Sequence, residues 1–314
     1  MALAPVKPAQ AATKSIAPGL LLATLGAIAF SGKAIIVKLA YRHGVDAVTL
    51  IMLRMLFALP FFLGMTWWAS RTRNGRKPPP LTRKDLLGIL WLGVTGYYLA
   101  SFLDFAGLQY ITASLERLIL YVNPTLVLLL GWVLFRRRIG RRQAVGMAIS
   151  YAGVLLVFGH EVTLQGAHVA LGAVLVFLSA VSYALYLFYS GELVQRLGSM
   201  RLVGLATSVA CVLCIAQYVI LRPLDTVLAV APEVVWLSVL NATLCTVVPV
   251  MMVMMVMMAI ERIGSGLAAQ VGMVGPMSTM IMGVVLLGEP FTAWLVAGTA
   301  LVIAGVFVCS RARA

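Results

Sequence analysis

The two halves of this 314-residue chain repeat each other at an offset of 152 residues. Apolar runs 115–157 and 267–309 overlie each other at this offset, and before residue 106 only hydropathy and element spacing match. The shared positions within these runs are Pro124 with Pro276, Gly131 with Gly283, Gly146 with Gly298, and Gly153 with Gly305. Because the matched Gly and Pro positions lie inside matching apolar runs, the pattern indicates an internal duplication.

Composition places the duplicated chain in a membrane. Hydrophobic residues make up 62% of the chain and charged residues only 11%, whereas a soluble protein carries roughly a quarter charged residues. The longest hydrophilic stretch, 70–85, has the length of a loop and not of a soluble domain. Two related halves in an almost wholly apolar chain are typical of transporters.

Ten stretches have the roughly 20 mostly apolar residues that a membrane-spanning helix needs. They are 18–40, 47–69, 86–108, 114–135, 142–159, 169–190, 200–221, 233–258, 265–287 and 291–309. Five spans per half is an odd number, so the second half enters the membrane in the opposite sense to the first. We therefore predict an all-α integral membrane fold of ten transmembrane helices, arranged as two inverted five-helix repeats.

The basic residues set the predicted orientation. Most of the 24 Lys and Arg residues lie in loops and tails on one side, and only Arg42 and Arg222 lie on the other. The positive-inside rule then places both termini in the cytoplasm. The predicted units are a cytoplasmic tail (1–17), a first repeat (18–159), a periplasmic linker (160–168), a second repeat (169–310) and a cytoplasmic tail (311–314).

The same distribution accounts for the net charge of +14, because basic residues beside helix ends contact anionic lipid head groups. We predict no nucleic-acid partner. The four cysteines lie in apolar spans, and the three histidines lie in outer loops or at span edges, apart from any nucleophile or metal-binding partner. The sequence therefore predicts no catalytic residues, no metal site and no cofactor.

Several local patterns carry a family resemblance. The ninth span ends in Leu-Leu-Gly-Glu-Pro at 286–290, Val37-Lys38 closes the first span, Leu53-Arg54 lies in the second, and spans five and ten share a glycine spacing of seven. With ten spans in two inverted repeats, the whole chain resembles the EamA branch of the drug/metabolite transporter superfamily. The resemblance implies that spans one, three, four, six, eight and nine surround a central cavity, while spans five and ten form an outer pair.

One position departs from that resemblance. Where the second half has Gly288-Glu289, the first half has Arg136-Arg137, although the family often carries Gly-Glu in both places. We expect the turn in the first half to be stabilised differently. In length and layout the chain is similar to bacterial exporters of amino acids, notably aromatic ones.

Ionisable residues within the predicted spans converge on the outer half of the first repeat. They are Lys33, Lys38, Arg54, Asp104, Glu116 and Arg117. Charges inside a membrane are costly and usually face a cavity or one another, and the second repeat has no matching cluster. For Asp104 and Arg117, a substrate site and a structural ion pair both remain open.

Helical spacing aligns further polar and aromatic residues in stripes. Span four has Ser114, Arg117, Tyr121 and Pro124; span three has Tyr97, Ser101 and Asp104; span eight has Asn241, Cys245 and Pro249; span nine has Gln270, Met273 and Met277. Helix packing is the alternative interpretation of each stripe. The predicted substrate-binding residues are Lys33, Tyr97, Tyr98, Ser101, Asp104, Arg117, Tyr121, Asn241, Gln270 and Met273.

Three prolines are candidates for helix breaks or gating: Pro124, Pro249 and Pro276. Pro124 and Pro276 are equivalent in the repeat, and each removes a backbone hydrogen bond in mid-span. Symmetry-related breaks point to a transport site, but simple kinks that shape the packing are the alternative. The Met-rich run 247–258 indicates either an adaptable cavity wall or a lipid-facing surface.

These observations predict an exporter of small amphipathic metabolites, foremost apolar or aromatic amino acids, in a bacterial inner membrane. The partners would be this substrate and membrane lipids, with the protein a monomer or a homodimer. The alternative within the same class is proton-coupled efflux of cationic compounds at Asp104 or Glu116. A lipid-modifying enzyme is disfavoured because no catalytic constellation is evident, and a channel is disfavoured because the two halves supply no ring of equivalent polar groups.

Overall fold

The computed structural model describes residues 17–71, 79–136, 138–166, 168–223, 225–248 and 274–311. All regular elements in these ranges are helical, and a single turn, Asp225–Leu228, precedes α8. The main helices are α1 (Ala17–Tyr41), α2 (Ala47–Ala69), α3 (Arg83–Leu108), α4 (Ala113–Phe135), α5 (Arg141–Gln165), α6 (His168–Leu197), α7 (Ser199–Leu221), α8 (Pro232–Ala242, continued by Thr243–Val247), α9 (Val274–Leu287) and α10 (Ala293–Arg311).

Six of these helices, α2 to α7, are long and apolar enough to cross a membrane. Helices α9 and α10 contribute shorter apolar segments, Val274–Leu287 and Ala293–Cys309. The end of the predicted eighth span and the start of the ninth lie outside the described residues. The full count of ten spans and the cytoplasmic location of both termini therefore stay predictions.

The helix boundaries reproduce the 152-residue repeat. A shift by 152 takes α2 onto α7 at both ends, the end of α4 at Phe135 onto the end of α9 at Leu287, and the start of α5 at Arg141 onto the start of α10 at Ala293. The agreement includes α2 and α7, where the two sequences match only in hydropathy. The duplication is thus a property of the fold beyond the few shared Gly and Pro positions.

Equivalent helices also pack against each other, and the contacts between α5 and α10 exchange under the repeat. A Cβ atom at Gly146 would lie 2.6 Å from the carbonyl oxygen of Gly305, and one at Gly153 would lie 2.6 Å from that of Gly298. Gly298 and Gly305 are the repeat equivalents of Gly146 and Gly153. The contact that Gly146 makes with Gly305 is thus repeated, with the two helices exchanged, by Gly298 and Gly153, as expected across a two-fold axis. The two helices run antiparallel, as an inverted repeat requires.

The segment between the repeats differs from its prediction. Helix α5 continues six residues past the predicted end of the fifth span, to Gln165, and α6 begins at His168. Most of the predicted linker 160–168 is therefore helical, and the chain turns at Gly166, whose φ of 86° suits a glycine. The apolar run ends at the polar residues His160 and Glu161, but Glu161 is buried and accepts a hydrogen bond from the hydroxyl of Thr112, the N-cap of α4.

Helix α3 contains a π-helical segment, Val94–Leu99, and α8 contains another, Thr243–Val247. The two helices hold the same place, third, in their repeats. Beside the α3 segment, α6 donates two interhelical hydrogen bonds, from Ser182 to the carbonyl of Thr95 at 2.7 Å and from Ser179 to that of Ala100 at 2.6 Å. Such bonds stabilise irregular backbone at membrane depth.

Candidate functional site

The central feature of the predicted site is the ammonium group of Lys33. It comes from α1, which packs against α3, α4, α8 and α9. The Nζ atom lies 2.5 Å from Oδ2 of Asp104 on α3 and 3.2 Å from Oε1 of Glu116 on α4. All three side chains are buried, and Glu116 is 0% exposed. The cluster joins three helices of the first repeat through one cation and two carboxylates.

A second polar chain crosses between the repeats two residues earlier on α1. Arg117 of α4 donates from Nη2 to the hydroxyl of Ser31 at 2.9 Å, and this hydroxyl donates to the carbonyl of Gly275 on α9 at 2.9 Å. Thr279, one turn further along α9, donates to the same carbonyl at 3.2 Å. Arg117 therefore faces the stretch of α9 that contains Pro276, directly beside the Lys33 cluster.

Helix α4 is interrupted close to the predicted position. Its first segment ends at Tyr121, Val122 has ψ near 0°, and Pro124 lies in the first turn of the second segment. The carbonyl of Val122 accepts from the backbone N–H of Thr125 at 2.9 Å and from its hydroxyl at 2.7 Å. The break is thus satisfied locally. Pro276 lies in the first described turn of α9, and Pro249 lies outside the described residues.

The other two predicted cations contact the surrounding scaffold. Lys38 donates to the carbonyl of Leu108 at 3.1 Å, at the end of α3. Arg54 of α2 lies over the ring of Phe105, 5.1 Å from its centroid. Tyr41 donates to the carbonyl of Phe105 at 2.6 Å. These contacts tie the ends of α1 and α3 together, beyond the Lys33 cluster.

The structure separates the predicted stripe on α3. The hydroxyl of Tyr97 lies 3.0 Å from that of Tyr186 on α6, whereas Asp104 faces Lys33 on α1. The reason is the π-helical segment, which has more residues per turn than an α-helix and rotates Tyr97 away from the face of Asp104. Tyr97 therefore faces α6, whereas Asp104 faces α1. Ser101 is partly buried in the α-helical part of α3.

The remaining predicted residues are distributed as follows. Asn241 of α8 reaches the cluster and donates from Nδ2 to the carbonyl of Lys33 at 3.4 Å. Tyr98 packs against the core between α1, α2 and α7, and Tyr121 packs against the core between α4, α5 and α6. Gln270 and Met273 lie outside the described residues. Of the predicted residues, the structure thus brings Lys33, Asp104, Arg117 and Asn241 together.

With this geometry established, the family assignment follows from sequence comparison. The profile described as the EamA-like transporter family matches residues 17–159 and again residues 170–311. The chain belongs to the EamA-like transporter family. It is a multi-span membrane protein with a duplicated EamA domain, in agreement with the resemblance noted from its motifs.

Individual relatives agree with this assignment. The chain is 29% identical over 289 residues to the uncharacterized transporter YcbK of Bacillus subtilis, covering 89% of this chain and 88% of YcbK. It is 24% identical over 201 residues to a protein of Salmonella typhimurium named a probable amino-acid metabolite efflux pump, covering 62% and 67% of the two chains. A solved crystal structure has the same fold, with a TM-score of 0.61 at 16% identity over 94% of this chain and 97% of that one.

The Gly-Glu turn of this EamA protein bridges its two repeats. Gly288 adopts a left-handed conformation with φ 71°, and Glu289 then reaches the start of α4. Its Oε1 accepts from the backbone N–H of Ala113 at 2.7 Å, and its Oε2 accepts from the hydroxyl of Ser114 at 2.7 Å. A carboxylate at a helix N-terminus is favourable for the unpaired N–H groups and the helix dipole. Glu289 thus holds the helix that carries Glu116 and Arg117.

The equivalent turn in the first half has the same backbone conformation without the glycine. Arg136 has φ 51° and ψ 29°, close to the φ 71° and ψ 26° of Gly288. It is the only non-glycine residue with positive φ in the described ranges. Arg137, which stands where the second half has Glu289, lies outside the described residues.

Sequence reasoning missed Ser31, Gly275 and the capping role of Glu289. Their contacts join residues at least 86 positions apart, so no local spacing in the sequence predicts them. The polar Ser31 within an apolar run was the one available signal, and Ser in a membrane helix is more often a packing residue.

Proposed function

We propose that this EamA transporter exports small amphipathic metabolites, foremost apolar or aromatic amino acids, and that Lys33 and Arg117 recognise the substrate carboxylate. The observation that carries the proposal is the position of these two cations. Both are buried, at 7% and 8% exposure. They lie where α1, α3 and α4 meet helices α8 and α9 of the other repeat. Sites between repeats are where such transporters bind their substrates.

The chemistry of Arg117 suits a carboxylate. A guanidinium presents five N–H donors in a planar fork, so Arg117 can hold Ser31 and engage a substrate carboxylate through other donors. Lys33 is bonded to Asp104 and Glu116, and a substrate carboxylate beside it would compete with these two groups. The apolar part of the substrate would lie along Tyr98 and Tyr121, and Gln270 and Met273 are proposed as further substrate contacts. We leave Tyr97 out of the proposed site because its hydroxyl lies beside that of Tyr186 on α6.

The proposed transport cycle exposes the site alternately to the two sides of an inner membrane. Pro124 interrupts α4 about two turns beyond Arg117, and Pro276 follows the carbonyl that Ser31 contacts. Pro249 is proposed as a third break. Helices interrupted beside a bound substrate allow one repeat to rock against the other. The Salmonella relative's name, an amino-acid metabolite efflux pump, supports the substrate class.

Efflux of cationic compounds is the second candidate, because Glu116 is fully buried and shares Lys33 with Asp104. A cationic substrate could replace the Lys33 ammonium between these carboxylates. The two candidates make opposite predictions about which end of a substrate the site requires, since a buried charge left without its partner is costly.

Purified protein in liposomes tests the proposal with labelled apolar and aromatic amino acids. Free amino acids should compete with one another, with modest differences because one methylene discriminates by only about 1–3 kcal/mol in an apolar pocket. Methyl esters and decarboxylated amines should compete poorly. Strong competition by the amines and little by the free amino acids would instead assign the site to cations at Asp104 and Glu116.

Transport by single-residue variants tests whether Arg117 belongs to the substrate site. Arg117→Met should lower transport at least about tenfold, which corresponds to the loss of one charge-assisted hydrogen bond of roughly 1.5–3 kcal/mol. Lys38→Met is the matched control, because Lys38 is also a cation within a span but contacts the carbonyl at the end of α3. Normal transport by a folded Arg117→Met protein would remove Arg117 from the site.

A further inference from the structure

A second polar site lies apart from the Lys33 cluster, at the end of the molecule where α4 begins. It is a small cleft of about 20 Å³ between the start of α4, the last turns of α5 and the turn that leads into α10. Its polar lining consists of Thr112, Ser114, His160, Glu161, Glu289 and Thr292. In the predicted topology this end faces the outside.

Glu161 is a carboxylate of this cleft with one oxygen unaccounted for. Its side chain is buried, with 7% exposure. Oε1 accepts a hydrogen bond from the hydroxyl of Thr112, whereas Oε2 has no hydrogen-bond partner among the described residues. A buried carboxylate oxygen without a partner is costly. The geometry therefore calls for a ligand that brings a positive charge to Oε2.

The donors around Glu161 are those of a hard cation. Glu289 supplies a second carboxylate, and Thr112, Ser114 and Thr292 supply hydroxyl oxygens, which small hard cations prefer. No group of three or more His, Cys, Asp or Glu side chains suited to a metal ion occurs in the part of the chain that the structure describes. Two carboxylates, both within electrostatic range of the ammonium of Lys38 on α1, suit a single positive charge better than a divalent metal.

We propose that this cleft is a binding site for one monovalent cation, a sodium ion or a proton, on Oε2 of Glu161. The site is separate from the substrate site proposed above, and cation binding can be measured without transport. It is linked to that site through Glu289, which lines the cleft and also caps α4 ahead of Glu116 and Arg117. A cation that interacts with Glu289 would weaken its hydrogen bonds to the start of α4. External cations could thereby influence the buried charge cluster, which includes Glu116 on the same helix.

Thermal unfolding of the purified full-length protein tests the proposal. A ligand that binds only the folded state raises its Tm, so saturating NaCl should raise Tm by about 3 °C or more over choline chloride at equal ionic strength. Glu161→Gln should lose this shift. Glu233→Gln, an exposed carboxylate at the start of α8, should keep it.

A pH series without sodium distinguishes the proton. If the cation is a proton, sodium has no effect, and the Tm of the native protein rises between pH 8 and pH 6 more than that of Glu161→Gln. His160 lines the cleft and Lys38 and Glu289 lie near Glu161, so His160→Gln is measured in parallel. A pH response lost in His160→Gln but kept in Glu161→Gln would assign it to His160 and overturn the proposal. Equal sodium and pH responses in the native protein and in Glu161→Gln would overturn the proposal.

A conservative variant covers the case in which Glu161→Gln fails to fold. Glu161→Asp keeps the charge but withdraws it by one methylene from the cleft. It should bind ²²Na⁺, or respond to pH, at a concentration at least about tenfold higher than the native protein, a change of about 1.4 kcal/mol. Native affinity in Glu161→Asp would place the cation elsewhere.

Discussion

At the scale of single residues, Lys33 supplies the positive charge that compensates the two carboxylates of the buried cluster. Its one ammonium faces two carboxylates at 2.5 and 3.2 Å, so its removal leaves two negative charges together in a medium of low dielectric constant. The penalty for one uncompensated buried charge commonly exceeds the net gain of forming the pair. The same group is therefore important for stability as well as for binding.

We expect Lys33→Met to lower the free energy of unfolding by about 3–5 kcal/mol. Adding Asp104→Asn should recover part of this loss, because the double variant removes one of the two stranded charges. Unfolding midpoints in detergent measure both effects, with Lys84→Met, which removes an exposed lysine on α3, as the control. A Lys33→Met protein as stable as the native one would show that the cluster is not an ion pair in the folded state.

Asp46 is an ionisable residue outside the spans with a clear pH signature. It caps α2 by accepting from Val48 and Thr49, and Arg222 donates to it at 3.1 Å. Partial burial alone would raise the pKa of Asp46, but hydrogen bonds from Thr49 and Arg222 outweigh it and hold this pKa below the usual value. Its contribution to stability is thus present above the unfolded pKa and is lost as pH falls through the lower folded one.

Asp46→Ala should cost about 1 kcal/mol at pH 7, as for other N-caps. The difference from the native protein should stay constant down to about pH 5 and shrink below about pH 4, near the unfolded pKa of Asp. Chemical unfolding at several pH values measures it. A difference that grew at acid pH would mean that the folded pKa is raised.

Some residues of the candidate site could be predicted from the sequence, and others could not. Lys33, Asp104, Arg117 and Asn241 could be selected from the sequence because ionisable or amide groups in apolar spans need partners. Tyr97 could not be placed, because its direction depends on a π-helical segment that leaves no pattern in the sequence. Ser31 and Glu289 act only through partners on distant helices, so their roles follow from packing alone.

At the scale of helices, close approach of backbones decides which pairs form. Gly146 and Gly153 of α5 contact the carbonyl groups of Gly305 and Gly298 on α10, and small residues permit such contact in membranes. The spacing of seven that these glycines share predicted matching helices, and the family resemblance implied that spans five and ten form an outer pair, but neither identified the residues in contact. That contact depends on how the two repeats dock.

Gly146→Ala should destabilise the protein by about 1–3 kcal/mol, because its Cβ would lie 2.6 Å from a backbone oxygen of α10 that cannot rotate away. Gly159→Ala, on the same helix, is the matched control. No atom lies within 4 Å of its Cβ position, and alanine raises helix propensity. Melting temperatures of the two variants should therefore change in opposite directions.

The contact between α3 and α6 tests how the irregular backbone of α3 is stabilised. Ser182→Ala removes the interhelical bond to the carbonyl of Thr95 beside the π-helical segment, and it should cost about 0.6–1.7 kcal/mol. Ser190→Ala is the control on α6, because Ser190 bonds a carbonyl of its own helix. Equal stabilities of the two variants would show that the interhelical bond is not needed to hold the segment.

At the scale of the whole molecule, the repeat explains both the architecture and its asymmetry. Helix boundaries at α2 and α7, and at the α4–α5 and α9–α10 turns, coincide after a shift of 152 residues, so the backbone follows the duplication closely. The charges do not follow it. Lys33, Asp104 and Glu116 all belong to the first repeat, while the second contributes the amide of Asn241 and the carbonyl of Gly275. A symmetric scaffold thus holds a one-sided charge cluster.

The antiparallel packing of α5 on α10 leads to a test of membrane orientation. Arg141 and Ala293 are repeat equivalents, each begins its helix, and both are exposed. If the repeats are inverted, these two positions lie on opposite sides of the membrane, and the positive-inside rule places Arg141 in the cytoplasm. In a protein whose four cysteines are replaced by alanine, Ala293→Cys should react with an impermeant maleimide added to intact cells. Arg141→Cys should react only after permeabilisation, and both should react equally in detergent. Reaction of both from the same side would contradict the inverted topology, and reversed accessibility would place the termini outside.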